Sequence, residues 1–207
     1  MKIFQIGFNR CGTRSLYSFF DDNVEGFKNK CVHWDEFRLA TSMFKNFLNN
    51  KKLLSDYENC LYFGDMETWI RVNNELYWLY AHKVFYKLLD EQYPGSKFIL
   101  NIRDREDWIV SRTKHTFQYS KQGSRNCYIN ALCEINNLIE HQQIEAWRED
   151  WQAHIEGVKD YFKNRSNDLL IYDINKDSPV KIIDFFKDDL KFINIPDKLP
   201  HLHKSTH

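Results

Sequence analysis

Arg10, Cys11, Thr13, Arg14 and Ser15 crowd one short stretch near the N-terminus, the first two between Gly7 and Gly12 and the other three just after. A glycine-bracketed turn lets backbone N–H groups approach an anion, and a helix opening just after it adds partial positive charge. Gly7-x-x-x-x-Gly12 has the spacing of a nucleotide phosphate loop. An NTPase would continue with Lys and then Ser or Thr, whereas this chain continues Thr13-Arg14. The phosphate lysine and the Mg²⁺-binding hydroxyl are missing from their usual places, so the loop suits an anion handled without metal. A thiol at a helix N-terminus is expected to have a lowered pKa. A phosphatase-like use of Cys11 would want an Arg six positions on, where Tyr17 stands, so Cys11 reads as a small loop residue.

Such a loop needs a strand before it and a helix after it. Lys2–Ile6 is apolar enough for a buried strand, and Thr13–Phe20 opens a helix. Further strands are expected near Phe27–His33, Cys60–Phe63, Lys97–Ile102 and Leu169–Tyr172. Helical spacing marks Asp35–Asn49, Leu76–Tyr93 (stopped by Pro94-Gly95), the stretch from Arg103-Asp104 to about Phe117, and Val180–Phe186. Ile129–Phe162 reads as one or two long helices. This alternation predicts an α/β fold of three layers around a mostly parallel sheet, in one domain. Ligands of such sheets sit at the carboxyl ends of the strands, where Arg10, Asp65 and Arg103 all fall.

Bulk composition narrows the function. Twenty-nine basic residues balance twenty-nine acidic ones, which argues against a dedicated nucleic-acid binder or a polybasic membrane binder. Five cysteines, widely spaced and without a Cys-x-x-Cys pair, signal neither a disulfide framework nor a zinc site; reduced thiols in a cytoplasm-like compartment are expected. No apolar run reaches the roughly 20 residues of a membrane span, and no signal-peptide pattern precedes the first strand. The tail histidines His201, His203 and His207 lack a supporting cluster of metal ligands.

Two segments together resemble the sulfotransferase family. Gly7-Phe8-Asn9-Arg10-Cys11-Gly12-Thr13-Arg14-Ser15-Leu16 is similar to that family's loop for the 5′-phosphosulfate of PAPS (3′-phosphoadenosine 5′-phosphosulfate), in which a Lys or Arg precedes Ser/Thr/Cys-Gly-Thr. Lys97–Ser111 resembles the family's 3′-phosphate site, a strand ending in Arg with a Ser eight positions later. Leu169–Ile174 with the helix ending Asp184-Phe185-Phe186 is similar to the family's last strand and helix, and Leu199–Ser205 to its C-terminal tail. Residues 112–165 match nothing in the pattern. Arg105 stands where many members have Pro, Arg14 where Thr or Leu is usual, and His203 where the tail has Asn.

The resemblance implies a P-loop-like sulfotransferase architecture with PAPS as co-substrate and no metal. It implies that Arg10, Cys11, Gly12, Thr13, Arg14 and Ser15 hold the phosphosulfate while Arg103 and Ser111 hold the 3′-phosphate through charge-assisted bonds. Arg10, at the position of the family's loop Lys, would neutralise charge on the bridging oxygen. A donor so placed is typically worth about 3–4 kcal/mol of barrier. A hydroxyl acceptor also needs a general base between the two segments. His33 and Asp65 stand level for that role, with Glu67 behind them. Trp69, Trp78 and Tyr80 would either line an acceptor pocket or simply pack. The acceptor implied is a hydroxyl, or an amine, of a small molecule or a glycan. The rival functions are a small P-loop kinase, which would depend on Mg²⁺ and ATP, and a nucleotide-binding module without turnover.

Overall fold

The computed structural model describes residues 1–73, 75–118 and 125–200. Its centre is a five-stranded, all-parallel sheet in the order β2-β3-β1-β6-β9. These strands are β1 (Ile3–Gln5), β2 (Cys31–His33), β3 (Tyr62–Gly64), β6 (Lys97–Ile102) and β9 (Leu169–Asp173). Two antiparallel hairpins stand apart from it: β4 (Glu67–Val72) with β5 (Glu75–Tyr80), and β7 (Thr116–Gln118) with β8 (Arg125–Cys127). The helices are α1 (Thr13–Asn23), α2 (Arg38–Leu48), α3 (Ala81–Gln92), α4 (Arg105–Thr113), α5 (Tyr128–Asn136), α6 (Glu140–Phe162) and α7 (Pro179–Phe186).

The period-two alternation of the strands builds the three layers. Phe4, Phe63, Phe98 and Leu100 point to one face and join a core with residues of α2 to α6. Ile3, Tyr62, Ile99, Leu170 and Tyr172 point to the other, where α1 and α7 cover them through Leu16, Phe19, Phe20, Ile182 and Phe186. Both faces are buried, as an all-parallel sheet requires. Alternating β and α segments thus give the α/β architecture expected from the sequence.

Two local expectations need correction. Leu76–Tyr80 belongs to β5, and the helix begins only at Ala81. Cross-strand pairing with β4, including Trp69 opposite Trp78 and Ile70 opposite Tyr77, outweighs the helical spacing of these aromatics. The helix after Arg103 ends at Thr113, and Thr116–Gln118 pairs as a strand. Of the one or two helices expected over Ile129–Phe162, the structure has two, α5 and α6, parted where Asn137 turns left-handed at φ 53°. The tail positions from 201 onward, with His203 and its neighbours, lie outside the described residues.

Candidate active site

The loop after β1 is held from beneath by a buried polar residue of β6. Asn101, fully buried, accepts the Gly7 N–H on Oδ1 at 3.0 Å and donates from Nδ2 to the Cys11 carbonyl at 2.9 Å. A Cβ at Gly7 would collide with the Asn101 carbonyl and side chain, so only glycine fits this close approach. The Trp108 indole N–H donates to the Asn9 carbonyl at 3.0 Å, tying the loop to α4 as well. Gly12 closes the loop in the left-handed region at φ 72° and serves as N-cap of α1. No side chain caps α1, and its first turn carries no acid, so neither a cap nor a carboxylate offsets its positive end.

Arg10, Arg103 and Ser111 meet at this loop. Arg10 has φ 64°, which turns its side chain toward α4, where Nε donates to Ser111 Oγ at 3.2 Å. Arg103, just past the end of β6, donates from Nη1 to the Arg10 carbonyl at 3.2 Å. Asp104 then caps α4, accepting the N–H groups of Glu106 and Asp107 at 2.9 and 3.0 Å. Burial, and after it the neighbouring Arg103 charge, lowers the affinity of the Arg10 guanidinium for its proton. Arg103 Nε is buried without a hydrogen-bond partner in the protein. Two adjacent guanidiniums with an unfilled buried donor fit an anionic ligand, which would relieve their repulsion and accept that N–H.

Thr13 faces the acidic side of the site, with Oγ1 3.1 Å from His33 Nε2, and the same nitrogen is 3.5 Å from Asp65 Oδ2. Arg14 is exposed and Ser15 half-buried on the first turn of α1. Burial, helped by the Arg14 charge, lowers the His33 pKa to about 4. Burial pushes the Asp65 carboxyl up, against the opposing pull of Arg10 and Arg112. Both groups are driven toward their neutral forms, so their contact is a polar one between an uncharged imidazole and a carboxyl and not an ion pair. Asp65 follows β3 with φ 53°, a strained turn that feeds β4.

Glu67 lies deeper, 2% exposed, with Oε2 accepting from Trp78 Nε1 at 2.9 Å and from the Tyr128 hydroxyl at 2.7 Å. Trp78 also sits edge-on to Phe37 and Tyr128, and with Tyr80, Trp147, Lys83 and Asp150 it lines an open groove of about 460 Å³. Cys11 is fully buried, and burial raises its thiol pKa. That overturns the lowering expected of a helix N-terminus: desolvation wins, and Cys11 offers the site its backbone only. Among the described residues, no group of three or more His, Cys, Asp or Glu is placed to hold a metal ion. No described helix is long and apolar enough to cross a membrane.

Asn101, Trp108 and Arg112 were not picked out by sequence reasoning. Asn101 had a visible signal, a lone amide inside the apolar run Phe98–Ile102. Arg112 had none, because its partners come from β5 and α5.

A parallel sheet with a glycine loop over its central strand and two arginines at neighbouring strand ends makes this an α/β protein of the three-layer class. A family model described as Sulfotransferase domain matches residues 2–206, and the chain belongs to the sulfotransferase family. No individual curated protein matches it.

Proposed function

We propose that this chain transfers a sulfuryl group from PAPS to a hydroxyl of a small-molecule or glycan acceptor. The observation that carries the reading is the junction of Arg10 and Arg103 beside the uncapped start of α1, with Arg103 Nε buried and unpaired. Arg103 and Ser111 would take the 3′-phosphate. The loop backbone from Cys11 to Ser15 and the Thr13 hydroxyl would take the phosphosulfate. The bond from Arg10 to Ser111 joins the two groups of residues, which supports reading them as subsites for one molecule carrying both anions.

In this reading Arg10 meets the charge left on the bridging oxygen as the sulfur–oxygen bond breaks. Asp65 takes the acceptor proton as the new oxygen–sulfur bond forms. Asp65 is preferred over His33 because burial raises its proton affinity toward neutrality, whereas the depressed imidazole is a weak base at neutral pH. Glu67 is too deeply buried to face an acceptor, and its Oε2 is held by Trp78 and Tyr128. Trp78 and Tyr80, on the wall of the groove, are the aromatic candidates for contact with the acceptor. The free thiols of Cys11, Cys31, Cys60 and Cys133 favour a reducing, cytoplasm-like setting.

The test is calorimetric titration with 3′-phosphoadenosine 5′-phosphate against 5′-AMP. Binding of the bisphosphate at least tenfold tighter is expected, since the 3′-phosphate adds charge-assisted bonds worth about 1.5–3 kcal/mol. Equal affinities would remove the 3′-phosphate assignment. Mg²⁺-dependent ATP binding would favour the kinase alternative.

A further inference from the structure

Beneath the anion loop lies a buried cation that the proposed chemistry does not use. Arg112 is 1% exposed, and its Nη2 donates to the hydroxyls of Tyr80 and Tyr128, both at 2.8 Å. Five rings surround the guanidinium, those of Phe8, Tyr80, Trp108, Tyr128 and Trp147, with centroids 4.7–5.6 Å away. A carboxyl is reached through Tyr128, whose hydroxyl donates to Glu67 Oε2 at 2.7 Å. Arg112 Nε is buried without a hydrogen-bond partner. A buried guanidinium with one N–H unfilled is a poor device for stability, since well-packed apolar side chains often serve a core as well or better. What it adds is direction, because a planar guanidinium sets its partners at fixed angles.

That direction matters for what stands beside Arg112 on α4. Ser111 precedes it and accepts from Arg10 Nε at 3.2 Å. Trp108, one turn earlier on the same face, has its ring 4.7 Å from the guanidinium and donates to the Asn9 carbonyl at 3.0 Å. Phe8, on the loop itself, packs against the guanidinium from above. Successive helix positions are separated by a fixed rotation of about 100°. With Arg112 anchored to β5 and α5, α4 cannot turn Ser111 away from Arg10. Tyr80 and Trp147, two of the residues around the cation, also line the groove, so one side chain braces the groove wall and the donor side together.

We infer that Arg112 is a positioning residue for the donor site: anchored on Tyr80 and Tyr128, it fixes the rotation of α4 and thereby holds Ser111, and Arg10 bonded to it, in the arrangement that receives the nucleotide. This rests on the reading of Ser111 as a contact of the 3′-phosphate.

The test is a double-mutant cycle on the full chain, with affinity for 3′-phosphoadenosine 5′-phosphate measured by calorimetry in wild type, Ser111→Ala, Arg112→Lys and the double variant. Lys keeps the charge beneath the rings but lacks the planar fork. Arg112→Lys should weaken binding about tenfold in the wild-type background and less than about twofold in the Ser111→Ala background, because residues that act through one another are not additive. Should Arg112→Lys not fold, Tyr80→Phe, which removes one anchoring hydroxyl, takes its place with a smaller loss of the same pattern. Equal losses in both backgrounds, or no loss in either, overturn the positioning role, since a merely structural cation would not depend on Ser111. The donor reading is judged separately: it stands if wild type binds the nucleotide and Ser111→Ala weakens that binding. Absence of binding by wild type, or affinity unchanged in Ser111→Ala, defeats the 3′-phosphate assignment and the positioning role with it.

Discussion

The side chain of Asn101 accepts the Gly7 N–H at 3.0 Å and donates to the Cys11 carbonyl at 2.9 Å, so one amide on β6 grips both ends of the loop after β1. A loop pinned at both ends in a buried setting presents its remaining backbone donors in one arrangement. That explains how a short, two-glycine turn can hold Arg10 at φ 64°.

Asn101→Leu should therefore destabilise the whole chain. It leaves a buried N–H and a buried carbonyl without their partner, each worth about 1–3 kcal/mol. A chain of this size loses roughly 2–4 °C of Tm per kcal/mol. Calorimetry should show a clear drop in Tm together with weaker binding of 3′-phosphoadenosine 5′-phosphate. An unchanged Tm would mean that the loop is held by other means.

Arg103→Ala should weaken binding of 3′-phosphoadenosine 5′-phosphate by about 10- to 100-fold, the value of a lost charge-assisted contact. Arg10→Ala should act chiefly on turnover, measured as release of that nucleotide from PAPS across a panel of acceptors. The opposite split between the two variants would exchange the roles given to the two arginines.

Asp65→Asn should keep nucleotide affinity close to wild type while lowering transfer by about 10²- to 10⁴-fold, the usual contribution of a general base. His33→Gln should be milder. If His33→Gln proved the more damaging substitution, the imidazole and not the carboxylate would be the base.

His33 also sets a pH window for stability. Its pKa is lowered from 6.5 to about 4 in the folded chain. The unfolded chain binds the extra proton first, so this contribution is complete above about pH 6.5 and fades as pH falls through 4. The difference between those values corresponds to about 3 kcal/mol. His82 and His154, also lowered by burial, act in the same direction. Asp65 and Glu67 act oppositely, their raised values making stability fade as pH rises through them. Denaturant unfolding between pH 7 and pH 4 should show wild type losing more stability than His33→Gln. Parallel curves would mean that the imidazole is not protonated in this window.

The anion loop was legible in the sequence because its signals are local. Gly7 and Gly12 mark places where a side chain cannot fit or where φ is positive, and the apolar runs on either side alternate with the period of strand or helix. Arg10, Asp65 and Arg103 could be placed at one edge of the sheet because parallel strands end on one side. Those features needed only the order of residues along the chain.

Long-range pairing decided the rest. Leu76–Tyr80 became a strand because β4 lay opposite it, a partner that helical spacing does not reveal. The Cys11 thiol is raised and the His33 imidazole lowered because the fold removes water from them, and burial depends on every packed layer at once. Arg112 joins Tyr80, Tyr128 and Glu67 from four separate elements. Sequence spacing carries shape along one strand or helix. The charge state of a buried group is set by what the other elements bring against it, and that exists only once the chain has closed.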